Sequence, residues 1–275
     1  MNWEGLELSI LGPACIAGLL VLATHVPLGQ QVLARGIIFI DLAIAQVAAL
    51  GVILAQAMGV DEHGYGVEIA AAIAALAGGA LLTWTDRKWP EFQEPIIGTL
   101  FVLAATGALL LLSNNPHGGE HLKDLLVGQI LWVSASQLIP VAVLSALLLA
   151  VMWILRAKLS GILFYGVFAL AITASVQLVG VYLVFASLIV PALATTGAEG
   201  TRRLVWAYAT GIAGYVSGLV LSAIFDLPSG AMIVWTLAAC GIIARILLAA
   251  SGTRAAAPRA SAERYGSNEG RAGRV

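Results

Sequence analysis

Charge is what this chain of 275 residues has least of. Only 11% of its residues are charged and 60% are hydrophobic, whereas soluble domains carry about 25% charged residues. That shortage excludes a water-soluble globular protein and assigns the chain to a membrane. The 14 Lys and Arg against 15 Asp and Glu leave no basic excess, so a nucleic-acid or acidic-substrate role has no electrostatic footprint. Cysteine is almost missing: Cys15 and Cys240 each sit alone in an apolar run, which excludes a disulfide framework or a thiolate metal site and leaves them as small core residues. Residues 1–7 hold Glu4 and Glu7 and no cation, the reverse of a secretory signal peptide, so the first apolar run is expected to remain a membrane helix. No G-x-x-x-x-G-K-[ST], H-E-x-x-H or G-x-S-x-G occurs. The chain therefore carries no P-loop and none of the commonest metalloprotease or serine-hydrolase signatures.

What is present is a series of charge-free runs, and crossing about 30 Å of hydrocarbon takes about 20 apolar residues. The runs are continuous rather than alternating, which excludes a transmembrane β-barrel. The spans read as 8–24, 36–58, 69–84, 96–112, 137–155, 163–179, a short 181–194, 206–225 and 228–249. The expected fold is all-α, a polytopic helical membrane bundle of eight or nine segments over residues 1–250. A disordered basic cytoplasmic tail is expected at 251–275. Cations accumulate on the cytoplasmic side. With the N-terminus outside and the C-terminus inside, every Lys and Arg except Lys123 falls inside, and this sorting requires 181–194 to return across the membrane. The tail is a candidate for contact with anionic lipid or a partner subunit.

Asp41 is the one acid within a span, in GIIFIDLAIAQVAALG. An Asp near a helix centre costs about 2.5–3.5 kcal/mol on insertion scales, so it is expected to face the bundle interior or an aqueous path. An interhelical hydrogen bond, or hydration near the interface close to Arg35, remains the alternative. Gln46 lies five residues on, about 140° around the helix, and is polar enough to bond across helices. His117, Glu120 and His121 share one external loop, SNNPHGGEHLKD. Two imidazoles and a carboxylate suit Zn²⁺ or Mn²⁺, and a solvated loop without metal is the other reading. His63 lies in another external connection, and His25 reads as a satisfied interfacial histidine. Pro95 and Pro191 mark bends, with or without a role in a translocation route.

Four segments in order, VLARGIIFIDLAIAQVAALG (32–51), EPIIGTLFVLAATGALLLLS (94–113), LLVGQILWVSASQL (125–138) and SVQLVGVYLVFASLIVPALAT (175–195), resemble the permease subunits of the ABC importers that take up zinc, manganese or iron. The similarity runs over about residues 10–250. The resemblance implies a homodimeric permease of the bacterial inner membrane with one pathway on its two-fold axis between the second helices. It also implies a cytoplasmic ATPase subunit that hydrolyses ATP in place of this chain, and a periplasmic or lipoprotein metal-binding protein outside. No bound cofactor is expected; the divalent metal is the cargo, with zinc the first expectation because of the external histidines.

Two departures from that pattern bear on mechanism. The family places Asp and His four residues apart on the second helix, and alignment on Gly51 puts Leu42 and Gln46 there, with Asp41 displaced by one. Asp41 and Gln46 would then make a harder, oxygen-donor lining, with His117, Glu120 and His121 assisting capture. Where the family has an inner coupling helix, only 156–161 intervenes here. Coupling to the ATPase is accordingly expected at Arg156 and Lys158 and at Glu199, Arg202 and Arg203 within TGAEGTRR. A proton- or sodium-coupled secondary transporter using Asp41, and a structural membrane subunit, are the alternative functions.

Overall fold

The computed structural model describes residues 8–60, 65–112, 126, 128–155 and 159–255. Among them are nine α-helices: α1 (Leu8–Arg35), α2 (Ile40–Ala57), α3 (Tyr65–Lys88), α4 (Gln93–Leu112), α5 (Ala135–Ile154), α6 (Gly161–Val179), α7 (Val181–Ala194), α8 (Gly200–Phe225) and α9 (Ser229–Ala255). Eight are long and apolar enough to cross a membrane, and α7, at 14 residues, is the shorter exception. The all-helical expectation is met. α9 also continues as helix into the segment read as an unstructured tail.

The helices pack as two groups joined through α6, α7 and the inner face of α1. One group is α2 with α3, α4 and α6; the other is α1 with α7, α8 and α9. Small residues bring the backbones together. Gly18 lies against the Tyr215 ring and Gly211 against Leu22, and Tyr208 reaches Ala23, so α1 and α8 run antiparallel. Gly51 meets Ala70 and Ala74 while Gly78 meets Ile44 and Val47, pairing α2 with α3 in the same way. Close approach by Gly and Ala is what membrane helices use where lipid offers no hydrophobic drive to associate.

The first span differs from the sequence reading. It does not stop near residue 24 but runs on to Arg35, through Pro27. A proline there removes the N–H that would bond the carbonyl four residues earlier, that of Ala23. The Tyr208 hydroxyl of α8 donates to that carbonyl instead, at 3.0 Å, which is how neighbouring helices keep a proline tolerable within a membrane span.

These pairings put the cations at one end. Arg35 contacts Leu159, Arg87 lies beside Gly161, and Arg245 donates to the Thr196 carbonyl oxygen. α8 begins at that end with Arg202 and Arg203. α7 leaves the opposite end at Gly180 (φ 81°) and returns toward the cations, since Gly29 of α1 meets Leu188 and Ala192. At the opposite end the chain at Gly128 (φ 68°) presses on the Val179–Gly180 backbone so closely that no Cβ fits.

Candidate functional site

α2 carries the site residues read from the sequence, and its 3.6-residue turn separates them. Leu42 and Gln46, four apart, line an open groove of about 530 Å³ between α2, α4, α7 and α9, walled by Phe101, Phe185, Val234 and Trp235. The groove is almost wholly apolar, and the Gln46 amide is its buried polar group, at 4% exposure. Trp235 is 75% exposed and Tyr182 54% exposed, so one side of the groove stands open to whatever lies beside the chain.

Asp41 precedes Leu42 and is therefore turned about 100° from the Leu42–Gln46 stripe. It is not among the groove's described lining residues. It is buried, at 1% exposure, and neither carboxylate oxygen has a hydrogen-bond partner among the described residues. It occupies the first turn of α2, where the helix N-terminus favours negative charge. Among the described residues no interhelical hydrogen bond is made by Asp41. A second carboxylate comes to the same helix start: Glu94 of α4 accepts from the Phe39 N–H at 3.3 Å. Sequence reading passed over Glu94, which sits at the edge of its span with no periodic signal.

His117, Glu120 and His121 lie outside the described residues, as do Arg156 and Lys158. Among the described residues no three His, Cys, Asp or Glu side chains come together as a metal cluster. His25 departs from expectation in position. It sits well inside α1, fully buried, with Nδ1 2.9 Å from the Val21 carbonyl oxygen and 3.1 Å from Thr24 Oγ1, while Nε2 has no partner among the described residues. It is interior rather than interfacial because α1 continues ten residues beyond it.

At the cationic end the segment after Lys158 is held from two sides. Arg35 Nη2 donates to the Leu159 carbonyl oxygen at 2.7 Å, and the same guanidinium lies 3.5 Å over the Phe164 ring. Behind Phe164, Gln93 Nε2 donates to the Tyr165 hydroxyl and to the Leu82 carbonyl oxygen, and Thr85 Oγ1 donates to Gln93 Oε1. Glu199 is the exposed N-cap of α8 without a side-chain cap, and Arg203 is part-buried one turn later.

The ABC 3 transport family matches residues 7–164 and 155–248. A probable iron transport system membrane protein of Haemophilus influenzae is 36% identical over 146 residues, covering 46% of this chain and 54% of that protein; the match thus spans about half of that relative's length. The manganese transport system membrane protein MntC of Halalkalibacterium halodurans is 29% identical over 252 residues, covering 83% of this chain and 84% of the relative. PsaBC from Streptococcus pneumoniae, solved in complex with Fab, superposes with a TM-score of 0.71 at 21% identity, covering 90% of this chain and 98% of that one; at that identity it speaks to the fold. The chain belongs to the ABC 3 transport family and is a multi-pass membrane permease of that family.

Proposed function

We propose that this chain is the permease subunit of an ATP-driven importer of a divalent first-row metal ion, and that the Leu42–Gln46 groove is half of its pathway. The observation that carries the reading is the groove itself: four helices converge on one buried amide in an otherwise apolar wall. Its exposed Tyr182 and Trp235 flank would close against a second copy, giving a homodimer with one route at the two-fold axis. The chain has no P-loop, so ATP hydrolysis belongs to a separate cytoplasmic subunit, and a metal-binding protein delivers the ion from outside. The cationic end is then the cytoplasmic one, with the N-terminus outside and the C-terminus inside. Arg156, Lys158, Glu199, Arg202 and Arg203 meet the ATPase there.

An amide oxygen is a harder ligand than imidazole, and a wall without thiolate or imidazole suits manganese and ferrous iron, the metals in the names of the two relatives. Zinc fits instead if selection is made earlier, at His117, Glu120 and His121. Asp41, more than one turn closer to the cytoplasmic end than Gln46, supplies a buried carboxylate that draws the cation onward. The test is ATP-dependent uptake of zinc, manganese and iron into liposomes holding permease, ATPase and binding protein. Gln46→Leu is expected to lower uptake at least tenfold, and Gln46→His to shift preference toward zinc. Unchanged uptake in both would remove the groove from the pathway.

Asp41 also favours a second reading, a gradient-coupled transporter, because an unpartnered buried carboxylate is what proton or sodium coupling requires. Metal uptake by the chain alone, driven by a proton or sodium gradient and lost in Asp41→Asn, would establish it over the importer.

A further inference from the structure

A second cavity, larger than the groove at about 750 Å³, opens on another face, at the end away from the cations. α3 and α5 each pack against α6 but make little contact with one another, so a slot remains between them with α6 as its back wall. The slot is graded in polarity along the membrane normal. Its rim carries Glu68 from the first turn of α3 and Ser134 and Gln137 from the start of α5; its depth is lined by Val52, Leu144 and Leu170. Exposed Tyr65 and Trp132 sit at the rim, the aromatic placement found at headgroup level.

Thr173 stands on the back wall, six residues or about 9 Å below the end of α6. It is 5% exposed, and its hydroxyl has no partner among the described residues. That is unusual within this bundle. Thr83, Thr99, Thr106, Thr210 and Ser217 each donate to the carbonyl four residues earlier. The Thr173 oxygen is itself buried and unpartnered among the described residues, so a turn of the side chain about χ1 that presents the hydroxyl to the slot forfeits no existing bond. Glu68 is the one charged group among the described lining residues, so the rim attracts a cationic headgroup and repels an anionic one.

We propose that this slot binds one zwitterionic, amine-bearing phospholipid. An acyl chain lies between α3 and α5, the Thr173 hydroxyl turns into the slot to donate to an ester carbonyl, and the Glu68 carboxylate receives the headgroup ammonium. The proposal stands apart from the metal pathway, because no residue is shared between slot and groove.

The test uses the full chain in nanodiscs of equal parts phosphatidylethanolamine and phosphatidylglycerol, released into mild detergent and examined by native mass spectrometry. One retained lipid per chain is expected, mostly phosphatidylethanolamine. Thr173→Val is expected to reduce retention about fivefold, the value of one neutral hydrogen bond, and Thr173→Ser to restore it. Glu68→Gln, a change at an exposed position that leaves packing untouched, is expected to abolish the headgroup preference while lipid is still retained. Leu144→Trp, which fills the slot, is expected to remove the lipid. Retention of phosphatidylglycerol equal to phosphatidylethanolamine in the unaltered chain, or no retained lipid, overturns the proposal. Retention insensitive to both Thr173→Val and Leu144→Trp overturns it equally.

Discussion

Removing the Tyr208 hydroxyl isolates the cost of carrying Pro27 in the middle of α1. In Tyr208→Phe the part-buried Ala23 carbonyl loses the donor that stands in for the missing proline N–H. An unsatisfied buried acceptor costs about 1–3 kcal/mol in soluble proteins. Membrane double-mutant cycles average nearer 0.6 kcal/mol with a ceiling near 1.7, because the unfolded reference also finds partners. The expected loss is therefore about 1 kcal/mol. In a Pro27→Ala background the residue 27 N–H can bond the Ala23 carbonyl as in any α-helix, and Tyr208→Phe then orphans nothing. The second cost falls toward zero, and the cycle gives a coupling of about 1 kcal/mol.

The measurement is equilibrium unfolding in mixed detergent, followed by helical circular dichroism, for the four chains of the cycle. Pro27→Ala alone is expected to stabilise, since proline costs about 3 kcal/mol within a helix and one hydroxyl recovers only part of that. If Tyr208→Phe costs the same with and without Pro27, the hydroxyl is not the substitute donor. The continuity of α1 through Pro27 would then need another cause.

Two further outcomes follow from the packing. At Gly29 an added Cβ would overlap the Leu188 carbonyl oxygen and lie 3.3 Å from Ala192 Cβ. Gly29→Ala is accordingly expected to destabilise by about 1–3 kcal/mol, while Gly12→Ala, whose Cβ meets nothing within 4 Å, is expected to be neutral or stabilising; equal unfolding midpoints for the two would refute backbone contact between α1 and α7. Arg35→Ala frees the Leu159 carbonyl and uncovers Phe164, so under the importer reading ATP hydrolysis by the assembled complex is expected to continue while metal uptake falls several-fold. Arg35→Lys is expected not to rescue, because an ammonium lacks the planar fork that bonds and stacks at once; full rescue by lysine would reduce the residue to a point charge.

How much of this was legible in the sequence depends on range. The scarce cations, read one by one, require 181–194 to return across the membrane; α7, at 14 residues, runs back toward the cationic end, where Thr196 meets Arg245. That inference needed only a count of signs. The end of the first span was misread because His25 and Pro27 look like a boundary locally; the group that keeps the helix going is Tyr208, 185 residues away. Arg35 was read as a mark of sidedness, and its bond to Leu159, 124 residues on, is likewise invisible to any local pattern. Thr173 gave no signal at all, since nothing in GILFYGVFALAITASVQLV distinguishes a hydroxyl that bonds its own helix from one that does not.

The one-residue displacement of Asp41 shows what a step along a helix does to chemistry. Each residue turns the side chain about 100° and raises it 1.5 Å, so Asp41 and Leu42 differ little in depth and almost wholly in direction. Leu42 and Gln46 therefore share the groove, and Asp41 is buried outside its described lining. Under the importer reading, the pathway at this level presents an aliphatic group and an amide, both neutral, where the family pattern presents a carboxylate and an imidazole. A neutral wall binds a divalent cation weakly and releases it readily, so high affinity then rests with the delivering protein and the outer loops, and the groove contributes passage with the mild preference of an oxygen donor. Exchanging the two residues, Asp41→Leu with Leu42→Asp, restores a carboxylate to the groove without altering composition. It is expected to raise metal retention in the purified permease and to slow turnover; retention unchanged by the exchange would mean that the ion does not pass the Leu42–Gln46 stripe.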